Sequence, residues 1–534
     1  MTARINRKII LAITWLLLAA ILVGCTESSE VTTVKPTEST AETAESVLTI
    51  KPAAVSGTLR LWWLRRQTLN PLLDSSEAGM AANDLIFEGL FRIGADQRPM
   101  HLLAESMNAQ PESLSATIQL SAGRNYDDGT PVTAADVKAC IDFILTQPLA
   151  SPYYAALSSI AAVTVIDDRM LTLTLSQPDP WLKYALTFPI IPQRCLLAAP
   201  FELIPGTGPF RMTSYSPATG TALVKNNPSG QIDELLNIQL LEFDSLAKAM
   251  KAYENDQIDL INLPPDDYNR YMLRSNLRFE QYSGSQLVFL AYNTKQNRPL
   301  ADDNRMIFIK QLLTSDKIEN AGASDLGEVT DVPIAAKSWL LAGSDSDYKK
   351  TVSSLGSPAW TATSGSLVLL ISADDRIQGQ VASVVGQVLS NAGISWQVSA
   401  LPTEEYRAAL KAGQYDLTLL QAVMPNPPDL TWLYIDIRPA AFAVLSELAL
   451  EGLADFDLWR QTLIASVSQY APARPEAAQE IADNLNETAA RSPWSVLLIR
   501  SSAILYGDRV IGQCRPDRYH PYTGIEELWI WSGQ

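Results

Sequence analysis

The sequence predicts an α/β protein with room for two or three lobes. Three observations carry that prediction: a β-α-β-α-β run from Ser366 to Val423, an alternating strand pair behind a capped helix between Thr130 and Leu175, and about 480 residues of chain from Gly57 onward.

Arg4, Arg7 and Lys8 form a basic start, Ile9 to Val23 is an almost unbroken apolar run, and Leu22-Val23-Gly24-Cys25 closes it. This charged-then-apolar layout suits export, because the run is short for a stable span. An uncleaved membrane helix with an incidental Cys25 is the alternative. Leu-Val-Gly-Cys resembles the bacterial lipobox, whose cysteine is acylated and becomes the mature N-terminus. The resemblance implies a signal peptide over residues 1–24, lipidation of Cys25 and an extracytoplasmic body anchored to the cell membrane by acyl chains. Residues 25–56, rich in Thr, Ser, Glu and Ala with nothing to bury, read as a flexible tether.

Along the body, Thr130-Pro131-Val132-Thr133 leads into a helix, and Thr133 with Asp136 has capping-box spacing. Val163 to Ile166 and Leu171 to Leu175 alternate around Asp167-Asp168-Arg169, which predicts a hairpin. A helix is expected from about Leu246 to Tyr253, before a strand-like stretch from Gln257 to Leu263. Ser366 to Ser372 is a β-prone apolar run, and Ile377, Val381, Val384, Val385, Val388, Leu389 and Ala392 follow at helical spacing. Asn391-Ala392-Gly393 ends that helix, Ile394, Trp396 and Val398 alternate as a strand, Thr403 can cap a helix through Leu410, and Tyr415 to Val423 is a third strand. Right-handed crossovers make these strands parallel, and ligands meet such sheets at strand ends, here Val423 to Asp429.

The formal charge is -17, and without the three cations of the export segment 38 basic residues face 58 acidic ones, a balance of -20. Nucleic-acid binding needs cationic clusters and is not expected. The charge equally serves solubility. Cys140, Cys195 and Cys514 have no Cys-x-x-Cys spacing, permit at most one intramolecular disulfide and are read as structural. With only His101 and His520, both read as ordinary surface or core histidines, no histidine-rich zinc site is expected. No Gly-x-Ser-x-Gly, His-Glu-x-x-His or P-loop is present, so no enzyme, metal or cofactor is expected.

Asp127-Asp128-Gly129-Thr130-Pro131-Val132-Thr133-Ala134-Ala135-Asp136-Val137 closely resembles the best-known signature of the extracellular solute-binding proteins of family 5, the oligopeptide, dipeptide and nickel-binding components of ABC importers. Gly206-Thr207-Gly208-Pro209-Phe210 is similar to that family's turn, and Leu69-Asn70-Pro71 with Ile86-Phe87-Glu88-Gly89-Leu90 resembles its opening. Tyr292-Asn293-Thr294 with Pro299-Leu300-Ala301-Asp302 looks like the entry to its second lobe. The resemblance covers roughly residues 57 to 534. It implies the two-lobed periplasmic-binding-protein-like fold, type II and cluster C-like, with a small α+β subdomain at about 91–195. The first lobe would span 57–295, the second α/β lobe 296–495, and 496–534 would return to the first. In the residues themselves the glycines at 129, 206 and 208 read as tight turns or positive dihedrals, which specify fold rather than ligand.

In peptide-binding members, the strand matching Tyr415 to Leu420 leads to a tryptophan and then an aspartate that pairs with the peptide amine. Here those places look like Ala422 and Pro425. Proline offers no charge, so capture of a free peptide N-terminus is not expected. Asp429 is the substitute if its loop folds back, against a solvated loop aspartate. Gln421, Met424 and Asn426 are candidate contacts, with Trp432 or Tyr434 a stacking surface; core packing is the competing role for Trp432 and Val423. Arg500, at the polar end of Val496 to Ile499, could meet a ligand carboxylate or make a salt bridge. Ser76 and Glu77, after the opening motif, are weaker candidates.

The function expected is that of a monomeric, membrane-tethered protein closing on a peptide or other small solute and delivering it to ABC permease subunits. A sensory or protein-docking lipoprotein on the same fold is the alternative.

Overall fold

The computed structural model describes residues 57–531 except 110–112, 229–234, 272–277, 342–346, 357–359, 361–364 and 428–477. Cys25, the tether, Asp429, Trp432 and Tyr434 therefore lie outside the described residues.

An 11-stranded sheet forms the frame. From one edge it runs Trp396–Leu401, Leu367–Ser372, Leu417–Val423, the long strands Arg278–Tyr292 and Trp494–Tyr506, then Leu260–Leu263, Thr58–Leu64, Asn237–Phe243, Gly220–Lys225 and Phe210–Ser216. Gly327–Val329 adds beside Trp494–Tyr506. The first three strands are parallel, as the β-α-β-α-β pattern predicts, and helices Arg376–Asn391 and Thr403–Lys411 connect them. Helical cover explains why Leu367–Ser372 is almost wholly buried and apolar. Asp375 opens the first of these helices, accepting from the amides of Ile377 and Gln378, and Gly393, at φ +73°, lets the chain leave it.

Thr403 does not cap the second helix. Pro402 holds the N-cap position, because Asp374 takes both the Thr403 amide and hydroxyl, at 2.9 and 2.8 Å. The strand expected from Gln257 begins only at Leu260, since Gln257 closes the turn after helix Leu246–Glu254 by bonding the Ala252 carbonyl.

The two long strands pair antiparallel and join the two halves of the sheet, with the register interrupted between Ser283 and Leu287. Gly284 sits in that interruption, where a Cβ would lie 2.7 Å from the Arg500 carbonyl oxygen. Every residue of Trp494–Tyr506 is buried, so Arg500 lies within this strand rather than at its end. Separate apolar cores pack on either side: Leu59, Leu61, Trp63, Leu240 and Ile504 share one, and Leu290, Leu369, Val385, Leu417 and Leu498 another.

A four-stranded antiparallel sheet, ordered Ala104–Ala109, Ser115–Leu120, Met170–Leu175, Ile160–Asp167, contains the expected hairpin. Helix Ala134–Leu145 joins Val137, Ile141 and Ile144 to the core that holds Ile118, Leu171 and Leu173. Its capping box is complete: the Asp136 amide reaches Thr133 Oγ1 at 3.3 Å and the Thr133 amide reaches Asp136 Oδ2 at 3.0 Å.

The two most distinctive motifs dock on each other. The Asp127 amide donates to the Gly206 carbonyl and the Gly206 amide to Asp127 Oδ2, both at 2.9 Å. Gly208 then donates to the Ile86 carbonyl at 2.8 Å. Of the three motif glycines only Gly129 has positive φ, at +84°; Gly206 and Gly208 are needed because a Cβ there would strike the Ile86 backbone. These contacts fix the segment Leu85 to Gly89. Cys140, Cys195 and Cys514 are buried free thiols, and burial pushes Cys140 and Cys514 up to about 12.

Candidate functional site

The segment fixed by the two motifs forms one wall of a cavity of about 370 Å³. Asp84 and Glu88 line it from this side, at the end of helix Glu77–Asn83 and beyond, with Arg92 from strand Phe91–Ile93. Asn262, Tyr282, Gly284, Ser285 and Ser502 line it where the long strands lose register. Val423, Met424 and Asn426 come from the end of strand Leu417–Val423, and Arg518 to Thr523 from the C-terminal segment.

The polar groups are held in place. His520 Nδ1 lies 2.6 Å from Asp84 Oδ2, Glu88 pairs with Arg124, and Arg92 Nη2 donates to Thr523 Oγ1 at 2.6 Å. Tyr282 donates its hydroxyl to Asn262 Oδ1 at 2.6 Å. The loop after Val423 is pinned through its carbonyls. Arg518 Nη2 donates to the carbonyls of Met424 (3.0 Å) and Pro425 (2.8 Å), and the Tyr519 hydroxyl donates to that of Asn426 (2.9 Å). The Met424 amide donates to the Ser285 carbonyl at 2.8 Å. Burial lowers the Arg518 guanidinium below its ordinary value and raises the Tyr519 phenol.

Of the residues singled out from sequence, Val423, Met424 and Asn426 line the cavity. Val423 is not a core residue: it is 60% exposed, because the strand ends there. Gln421 and Arg500 meet each other instead, Arg500 Nη1 reaching Gln421 Oε1 at 3.1 Å and also bonding Gln286, while Nη2 donates to the Pro265 carbonyl. Gln421 in turn donates to Asp375. Ser76 caps helix Glu77–Asn83 by accepting the Gly79 amide at 3.1 Å, beside the Arg66–Asp74 ion pair. Among the described residues no group of three or more His, Cys, Asp or Glu side chains could hold a metal ion, and no helix is long and apolar enough to cross a membrane.

Asp84, Arg92, Arg518, Tyr519 and His520 were not selected by sequence reasoning. Asp84 and His520 are 436 positions apart, so nothing local links them. The only sequence signal was the dense Arg518-Tyr519-His520-Pro521-Tyr522 run, which carries one of the two histidines.

Comparison with known proteins places this geometry. The family model described as "Bacterial extracellular solute-binding proteins, family 5 Middle" matches residues 98–441. A Brucella ovis protein named for ABC transporter peptide binding is 23% identical over 430 residues, covering 74% of this chain and 78% of that protein. The structure is similar to that of the periplasmic murein tripeptide-binding protein MppA in its unliganded open form, with a TM-score of 0.69 and 16% identity over 90% of this chain and 99% of that one. A nickel ABC transporter structure from Bacillus halodurans gives a TM-score of 0.67 at 17% identity, covering 89% and 99%. Such likeness establishes the two-lobed type II binding-protein fold. The chain belongs to the bacterial extracellular solute-binding proteins of family 5, the extracytoplasmic binding components of ABC importers.

Proposed function

We propose that the cavity bounded by Asp84 to Arg92, the ends of the long strands, Val423 to Asn426 and Arg518 to Thr523 is where this binding protein holds a peptide or other small solute for its permease. The observation that carries the reading is the pinning of the Met424 to Asn426 loop by Arg518 and Tyr519 across that cavity. Residues 57–295 with 496–534 form one lobe and 296–495 the other, and they hinge where the long strands lose register at Ser283 to Leu287. A solute held between them stabilises the closed form in proportion to its differential affinity, which is what a permease can sense. Val423, Met424 and Asn426 touch the solute; Gln421 and Arg500 brace the strand behind them. Asp429 and Trp432, next in the sequence, are proposed as further contacts, and Ser76 acts through the helix it caps.

The size of the cavity supports a small solute rather than a long peptide. The relatives' names include peptides, glutathione, nickel and agropinic acid, and the charged, hydrogen-bonded lining supports an organic solute or chelate over a bare ion. Residues 1–24 direct export, and Cys25 is acylated, so the monomeric body stands on a polar tether at the outer face of the membrane.

Native mass spectrometry of the full chain released into detergent, after dialysis against the small-molecule fraction of rich bacterial medium, tests the binding reading. A discrete added mass that disappears on denaturation is expected. A protein that retains nothing would refute solute capture. For the anchor, labelled fatty acid should enter the parent chain and not Cys25→Ser; persistent label in the variant would refute the lipidation site.

A further inference from the structure

The two lobes also touch away from the cavity. In the second lobe, residues 334–340 form turns rather than a helix or strand, and Ile334, Ala335, Trp339 and Leu340 are buried in a core shared with Phe289, Leu420 and Trp494. From the first lobe, Trp181, at the start of helix Leu182–Ala185, packs against that same core. Trp339 reaches three groups of the first lobe. Its amide donates to the Asp96 carbonyl at 2.9 Å, its Nε1–H donates to the Tyr184 hydroxyl at 3.1 Å, and the Arg98 guanidinium lies 5.8 Å from its ring centroid. Tyr184 in turn donates to the Gln97 carbonyl at 2.6 Å. Trp339 and Tyr184 are only 4% and 3% exposed, so parting the lobes here bares two large aromatic side chains. None of Asp96, Gln97, Arg98, Tyr184 and Trp339 lines the cavity.

The turn that receives Trp339 is held in an uncommon conformation. Asp96 and Gln97 lie between strands Phe91–Ile93 and Pro99–His101, and Gln97 keeps φ at +68° without being glycine. A long side chain stays in that region only where its surroundings over-determine it. The carbonyls of Asp96 and Gln97 are the ones that accept from Trp339 and Tyr184. The Gln97 side chain, itself buried, donates from Nε2 to the Tyr519 hydroxyl at 3.4 Å, and that hydroxyl donates to the Asn426 carbonyl. One turn thereby joins the Trp339 contact to the loop over the cavity.

Resting on the two-lobe reading of the chain, we propose that Trp339 seated on the Gln97 turn is a latch: it holds part of the solute-free population closed, and solute completes a closure the protein begins by itself. The latch makes no contact with the solute. It acts on affinity by raising the closed fraction, since the apparent dissociation constant is the intrinsic one divided by the fraction competent to bind. The latch and the Met424 to Asn426 loop favour the same arrangement, because Gln97 and Tyr519 connect them.

Spin labels at Lys251→Cys and Ala408→Cys, exposed positions on helices Leu246–Glu254 and Thr403–Lys411 of the two lobes, report the lobe separation of the full chain in detergent by pulsed dipolar spectroscopy. Cys140, Cys195 and Cys514 are buried. The distance found after dialysis against the small-molecule fraction of rich bacterial medium defines the closed arrangement. Without that fraction the parent should show the same distance beside a second one. Trp339→Phe keeps a ring and the amide but removes the Nε1 donor, and should lower the closed-to-open ratio about fivefold, the worth of one neutral hydrogen bond. Tyr184→Phe removes the acceptor together with the bond to Gln97, and should lower the ratio at least as far. The double variant should go little beyond Tyr184→Phe, because both changes delete one shared bond. Medium should restore the closed distance in every variant, which a chain damaged only in its fold would not recover. If Trp339→Phe fails to fold, Tyr184→Phe reads the same contact. A closed distance that appears in the parent only with medium, or a ratio unchanged in both variants, overturns the latch. Neither result touches solute capture, whose failure reads separately as a chain that retains no added mass.

Discussion

Gly206→Ala should be among the most damaging single-methyl additions in this protein. A Cβ at Gly206 would lie 1.9 Å from the Ile86 carbonyl oxygen, whereas ordinary contacts begin near 3.4 Å, so the two backbones must part by about 1.5 Å. Neither side of that contact is a flexible side-chain end. Parting them strains three hydrogen bonds: Asp127 amide to Gly206 carbonyl, Gly206 amide to Asp127 Oδ2, and Gly208 amide to Ile86 carbonyl. At about 1 kcal/mol for each bond, with about 1 to 3 kcal/mol for overpacking, the loss should be about 4 to 6 kcal/mol. That is a large share of the roughly 5 to 15 kcal/mol available to a folded domain. Urea unfolding followed by circular dichroism measures it, with Gly129→Ala as comparator. Gly129 has open space but φ +84°, so its alanine should cost only about 1 to 2 kcal/mol. Because Ile86 leads into the cavity wall, solute retention should fall further in Gly206→Ala than in Gly129→Ala. A Gly206→Ala protein within about 1 kcal/mol of the parent, or less damaged than Gly129→Ala, would refute the close-approach argument.

Lys310 is buried, with its amine donating to the carbonyls of Ala489 and Trp494 at 2.8 and 2.6 Å, and burial lowers it to about 7. Between about pH 7 and the ordinary lysine value the unfolded chain holds that proton and the folded chain does not, so stability should rise with pH by up to about 1.4 kcal/mol per unit. The difference between the urea profiles of the parent and Lys310→Met across pH 7 to 9 isolates this slope; parallel profiles would contradict it. Thr133→Ala removes the capping box and should cost about 1 kcal/mol without changing solute affinity, as read by unfolding and calorimetry together. Tyr519→Phe deletes the donor to the Asn426 carbonyl and should weaken solute retention by about fivefold, about 1 kcal/mol, while leaving the urea midpoint nearly unchanged.

What the sequence disclosed depends on the range of the interactions involved. The Thr133 and Asp136 box, the hairpin around Asp167 to Arg169 and the three parallel strands from Leu367 to Val423 were readable because each is decided by neighbours or by a periodicity of a few residues. Thr403 failed as a cap because Asp374, across the sheet edge, competes for its amide and hydroxyl. The extent of Trp494–Tyr506 was hidden by Arg500, Ser501 and Ser502. Their polarity suggested a strand end, but Gln286, Gln421 and Gln281 satisfy Arg500 and Ser501 inside the sheet. The loop after Val423 was found from sequence, since strand ends in parallel sheets are where ligands meet the fold. Its partners across the cavity were not, because Arg518 and Tyr519 reach it only after the chain has closed its sheet.

The central claim is that the two lobes close on a small solute, and small-angle scattering in solution tests it most directly. The parent protein, measured before and after saturation with the compound it retains from medium, should contract, and at sub-saturating solute Tyr519→Phe should contract less. An unchanged scattering profile at saturation, with binding confirmed by calorimetry on the same sample, would contradict closure and with it the role given to the Met424 to Asn426 loop.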